Sequence, residues 1–107
     1  MPDLEILPKE LKQKLDSGAK VIVIDVREPW EHQICTIPGA KLIPMNTIPA
    51  NVNALDSGEE IVCYCHHGAR SLNVAAWLRQ QGIEGARSLR GGIDSWSTEV
   101  DPSVARY

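Results

Sequence analysis

What this chain lacks narrows its reading first. It has no run or stripe of basic residues: 11 Lys and Arg are scattered among 14 Asp and Glu, leaving a net charge of −3. Nucleic acid and acidic membrane surfaces both reward clustered positive charge, so neither is an expected partner. No apolar run nears the length of a membrane span, and Met1-Pro2-Asp3-Leu4-Glu5 places acids where a secretory signal needs bases; a cytoplasmic protein is expected. Only three cysteines occur, an odd number without disulfide-scaffold spacing. That fits a reducing compartment in which at least one thiol is kept for chemistry. Internal repeats and low-complexity tracts are missing too. With 107 residues and 43% apolar content, the chain can build one real core and has no room for two. The expected organisation is a single domain over 1–107, monomeric, with a core from about 3 to 98 and an irregular tail over 99–107.

What is present is concentrated in one stretch, Val62-Cys63-Tyr64-Cys65-His66-His67-Gly68-Ala69-Arg70-Ser71, where a strand-like run stops at a thiol and a helix begins soon after. If the backbone N–H groups of residues 66–70 line this turn, they join the helix N-terminus in aiming partial positive charge at the Cys65 sulfur, which favours a thiolate. Arg70 adds a permanent cation with a planar fork of donors at the far rim. Cys65 and Arg70 are therefore the candidate catalytic residues. His66, His67, Gly68, Ala69 and Ser71 are the candidates for binding a small anion over the sulfur.

Cys65-His66-His67-Gly68-Ala69-Arg70 resembles the active-site loop of rhodanese-like sulfurtransferases, with four residues between Cys and Arg. Asp25-Val26-Arg27-Glu28 is similar to that family's DVRE segment, Ile37-Pro38-Gly39-Ala40 to its IPGA turn, and Gly91-Gly92-Ile93-Asp94-Ser95-Trp96 to its closing GGxxxW. The resemblance implies a three-layer α/β fold, an open, mostly parallel five-stranded sheet with helices on both faces. It also implies sulfur transfer. Cys65 would take a sulfane sulfur from thiosulfate or a donor persulfide and pass it to cyanide, a small thiol or a sulfur-relay protein, with no metal and no organic cofactor. The stretches around Ile34-Cys35 and Cys65 to Ser71 also resemble rhodanese-like domains fused to adenylating activators of sulfur carriers. Cys35-Thr36 departs from the Gly-His the family often carries before its turn.

Five strands are expected along the chain: Leu4-Glu5-Ile6-Leu7 at an edge, Lys20 to Val26 in the sheet interior, Lys41 to Pro44, Glu59 to Cys65, and Ala86 to Leu89. Helices are expected from Pro8 towards Gly18 with Leu7, Leu11 and Leu15 on one face, and over Glu28 to Ile34 with Trp30 and Ile34 buried. A short helix is expected within Met45 to Leu55, ending at an Asp56-Ser57-Gly58 turn. A largely buried one runs from Ser71 to Gln81 and stops at Gly82, and a last short one carries Trp96 onto the sheet. Asp25 and Arg27, at the carboxyl edge of an interior strand, are possible supporting residues, expected to tie loops together. His32 is expected to be solvated, Cys35 to be a small buried thiol rather than a redox partner, and Cys63 to lie deeper on the side of Cys65. A metal site built on Cys63, Cys65, His66 and His67 is not expected, since no second cluster completes the ligand set.

Two other functions compete with sulfur transfer. Related phosphatases and arsenate reductases use a similar cradle, but with Cys-x5-Arg spacing that is wider than the loop here. A noncatalytic binding module is the fate of rhodanese-like domains that lose their Cys; Cys65 and Arg70 are both intact.

Overall fold

The structure, a computed structural model, describes residues 4–55 and 58–107. Five strands form the sheet: β1 (Glu5–Ile6), β2 (Val21–Asp25), β3 (Lys41–Leu42), β4 (Glu60–Tyr64) and β5 (Ala86–Leu89). They pair in the order β1-β5-β4-β2-β3, every neighbouring pair parallel. This is the expected five-stranded sheet, with β4 at its centre.

The β-branched runs of β2 and β4 lack alternation because both their faces are covered. On one face α1 (Pro8–Asp16) and α5 (Gly92–Glu99) place Leu11, Ile93 and Trp96 against Ile6, Val23, Val62, Tyr64 and Leu89. On the other, α3 (Ile48–Asn51) and α4 (Ala69–Gln80) pack Ile48, Val74 and Leu78 over Ile24, Ile61, Cys63 and Ala86. Among the described residues no helix is long and apolar enough to cross a membrane.

Several local expectations hold in detail. Gly82 (φ +92°) follows the Gln81 cap of α4, and the amides of Gly82 and Ile83 donate back to Arg79 and Leu78, the pattern of a Schellman stop. Gly39 (φ +84°) closes the Ile37–Ala40 turn, in which the Ala40 N–H donates to the Ile37 carbonyl.

Others are corrected. Leu7 does not join Leu11 inside: it stands before α1 at 46% exposure. The short helix expected within Met45 to Leu55 is there as α3, with a 3₁₀ turn on either side of it, Met45–Thr47 before and Val52–Ala54 after. Pro49 sits in the first turn of α3, where its missing N–H would have no partner within the helix. Asp56 and Ser57 of the expected turn, like Asp3, lie outside the described residues.

The largest correction concerns α2 (Pro29–Ile34). Trp30 and Ile34, expected inside, are 59% and 46% exposed, while Glu31 is only 3% exposed. The helix turns its charged face inward because ionic partners wait there. The segment after Glu99 has irregular backbone, yet Val104 is buried in the core of the α1/α5 face.

Candidate active site

The central strand β4 delivers Cys65 to the carboxyl edge of the sheet, and α4 begins four residues later. Gly68 caps that helix at φ +109°, a left-handed conformation that leaves its N–H free to turn inward. Three donors converge on the sulfur: the Gly68 N–H at 3.1 Å, the Ser71 N–H at 3.4 Å and the Ser71 hydroxyl at 3.5 Å. Ser71 is itself held by Ser88 on β5, with Oγ–Oγ 2.8 Å, and both are fully buried. Of the amides of residues 66–70 expected to line the turn, Gly68 donates to the sulfur, and the Ser71 N–H, one residue beyond them, joins it at the start of α4, where N–H groups have no partner within the helix.

A second helix N-terminus grips the same loop from the other side. The amides of Ile93 and Asp94, in the first turn of α5, donate to the carbonyls of Cys65 (2.9 Å) and His66 (3.2 Å). The approach is so close that a Cβ on Gly92 would run into both carbonyl oxygens. At Gly92 only glycine leaves room for the clamp, while a Cβ on Gly91 would strike the Ser95 side chain.

Arg70 is half-exposed, and its fork is closed on Glu31: Nη1 donates to Oε1 at 2.7 Å and Nη2 to Oε2 at 2.9 Å. Hydrogen bonding to Glu31 outweighs burial and raises the Arg70 pKa further, helped by the charges of Glu31 and Cys65. Glu31 is held down to about 2, first by Arg70 and, against the upward pull of burial, by the Tyr107 hydroxyl and the Glu28 N–H. The fork expected to meet an anion is therefore already partnered within the protein.

Beside this pair lies a second. Arg27, fully buried, donates to Asp25 through Nε (2.9 Å) and Nη2 (2.7 Å), to the Cys35 carbonyl through Nη2 (2.5 Å), and to the Tyr107 hydroxyl through Nη1 (2.9 Å). Burial would raise the Asp25 carboxyl, but hydrogen bonds from Arg27 and His32 hold it below its ordinary value. His32, expected to be solvated, sits with Nδ1 2.8 Å from Asp25 Oδ2. Tyr64 completes the cluster by donating to Asp25 Oδ2 at 3.2 Å; burial pushes its phenol up to about 12. Asp25 and Arg27 thus tie loops together.

The sequence profile of the Rhodanese-like domain matches residues 7–99. The chain belongs to the rhodanese-like family. A protein named Sulfurtransferase from Allochromatium vinosum is 38% identical over 101 residues, covering 94% of this chain and 94% of that protein. The probable adenylyltransferase/sulfurtransferase MoeZ of Mycobacterium tuberculosis is 38% identical over 104 residues, 95% of this chain but only 26% of MoeZ. Among solved structures, a rhodanese-like domain protein from Staphylococcus aureus superposes with a TM-score of 0.84 at 36% identity, covering 98% of this chain and 99% of that one.

Within this rhodanese-like loop, His66 is the more covered imidazole. It stacks between His67 (centroids 4.0 Å apart) and Tyr107 (3.9 Å), while His67 and Ala69 are exposed. Burial, then the charge of His67, push His66 below the ordinary imidazole value. Donor atoms of His66, His67 and Asp94 lie within 4.8 Å of one another, which raises the question of a cation. The two imidazoles are stacked at 24°, so their in-plane lone pairs run side by side rather than converge, and Asp94 is engaged by Arg106 at 2.8 Å. This set does not fit a metal.

The other thiols stand apart. Cys63 shares the core of Cys65, and burial followed by the Cys65 charge pushes it up to about 12, so it stays a thiol. Cys35 is buried in the core on the opposite face. Glu31, Tyr107 and Ser88 escaped the sequence reading. For Glu31 a signal existed, an acid three residues after Glu28 at a helix start, but it reads there as a helix-capping charge rather than a partner for Arg70.

Proposed function

We propose that this rhodanese-like protein is a sulfurtransferase working through a Cys65 persulfide. The Cys65 thiolate attacks the outer sulfur of thiosulfate or of a donor persulfide; the new S–S bond forms as the old one breaks, and sulfite or a thiolate leaves with the electron pair. An acceptor, cyanide or the thiol of a small molecule or relay protein, then attacks the carried sulfur and regenerates the Cys65 thiolate. The observation that carries this reading is the trio of donors from Gly68 and Ser71 aimed at Cys65 Sγ. They are placed to hold negative charge on the sulfur of either the thiolate or the persulfide. The four-residue spacing from Cys65 to Arg70 favours sulfur over a tetrahedral phosphoryl group. The match to one part of a protein named an adenylyltransferase/sulfurtransferase supports sulfur transfer as the reaction.

Mass spectrometry after incubation with thiosulfate tests the proposal. Native protein should gain the mass of one sulfur atom, removable by cyanide or dithiothreitol. Cys65→Ser should gain none while keeping its fold, and Cys35→Ala should gain it normally. Loading that persists in Cys65→Ser would sink the assignment.

A further inference from the structure

Three arginines near the Cys65 loop are each held in an ion pair. Arg70 is paired with Glu31, Arg27 with Asp25, and Arg106 with Asp94. A donor therefore approaches the sulfur past an Arg70 whose charge is already answered by a carboxylate. Glu31 is the group that makes it so, and it is fixed as an anion on every side. Oε1 accepts from Arg70 and from the Glu28 N–H at 3.1 Å, and Oε2 accepts from Arg70 and from the Tyr107 hydroxyl at 2.5 Å. The direction of that last bond is not free. Arg27 can only donate, and its Nη1 already donates to the Tyr107 oxygen, so the phenol proton must point to Glu31. Tyr107 thereby draws off part of the carboxylate's charge and holds it in place. The same ring covers His66 and meets Trp30 edge-on at 6.3 Å, so the wall beside the loop is aromatic, with Trp30 59% exposed.

We infer that Glu31, steadied by Tyr107, is a specificity-determining residue that turns the Cys65 site away from dianionic thiosulfate and towards sulfur carried as a persulfide on an organic or protein thiol. The inference rests on the sulfurtransferase reading above. Thiosulfate brings two negative charges to the Cys65 anion, and Arg70, neutralised by Glu31, cannot compensate them. An alkyl persulfide brings one charge or none and has an apolar body for the Trp30 and Tyr107 wall. The chemistry balances in either protonation state: Cys65–S⁻ with R–S–SH gives Cys65–S–SH and R–S⁻, a sulfur atom passing from one thiolate to another with no outside oxidant or reductant.

The test compares kcat/KM for thiosulfate and for 2-hydroxyethyl persulfide in the native protein, Glu31→Gln and Tyr107→Phe, with circular dichroism to verify folding. The native protein should favour the persulfide. Glu31→Gln removes one negative charge and uncovers part of the Arg70 fork, so thiosulfate kcat/KM should rise about tenfold, mainly through KM, with a clearly smaller change for the persulfide. Tyr107→Phe should move selectivity the other way, lowering thiosulfate kcat/KM by roughly two- to threefold as Glu31 regains its full charge. It decides alone if Glu31→Gln does not fold. Equal changes for both donors, or a native preference for thiosulfate, would overturn the inference while leaving sulfur transfer intact. Failure of either donor to load native Cys65 would instead remove the sulfurtransferase reading, and the inference with it.

Discussion

Two cysteines two residues apart face the same core, and their surroundings separate their chemistry. Both are buried, but Cys65 stands at the strand end among inward-pointing donors, whereas burial pushes the Cys63 thiol up to about 12. Cys63→Ala should therefore leave persulfide loading unchanged and cost about 1 kcal/mol in a urea titration through lost packing. Loss of loading in a folded Cys63→Ala protein would move the nucleophile. Glu31 gives a pH signature at the same scale. Its ordinary value is 4.5 and its folded value about 2, so the folded state binds the proton less readily than the unfolded one. The stabilisation this represents is fully present above pH 4.5 and is lost as pH falls through about 2. The unfolding free-energy gap between native protein and Glu31→Gln should be flat from neutral pH to about 4.5 and shrink below it. A gap that shrinks already near neutrality would mean that another group titrates.

Among the elements, α5 is the one whose position decides the loop, because its first-turn amides hold the Cys65 and His66 carbonyls. Gly92 (φ +64°) lies at that contact. Gly92→Ala meets both the left-handed strain and the carbonyl oxygens, so it should cost at least ~2 kcal/mol by thermal denaturation and depress persulfide loading in whatever remains folded. Full stability in that variant would show that α5 merely lies nearby. The Gly-Gly pair, the IPGA turn and the strand runs were legible because each is written in adjacent residues: a positive φ, a proline, an unbroken β-branched run. The inward face of α2 was not. Trp30 and Ile34 looked like its buried face only because the partners of Glu31 stand 39 residues on, at Arg70, and 76 residues on, at Tyr107. No local period can report an ion pair at such separations. The same holds for Val104, a lone apolar residue in an aperiodic segment that the core nevertheless takes in.

At the scale of the molecule, Arg27 joins the end of β2, the end of α2 and residue 107 through one buried guanidinium. Arg27→Met should cost about 3–5 kcal/mol, because it strands the Asp25 charge in the interior. Asp25→Asn combined with Arg27→Met should recover part of that loss in the same chemical denaturation experiment, since no unpaired charge is then left; a strictly additive double variant would show that the two residues do not act as a pair. The sheet order has a further consequence, for the history of the chain rather than its resting form. β1 comes first of the described strands but pairs only with β5, and the clamp on Cys65 comes from α5 later still. While the chain is being made, β2 and β4 can align early, whereas β1 must wait with its edge bare and the thiol lacks half its cage until the last helix docks. A nascent or partly opened chain thus carries a naked, oxidisable cysteine beside an unpaired strand, a danger that passes only when α5 docks.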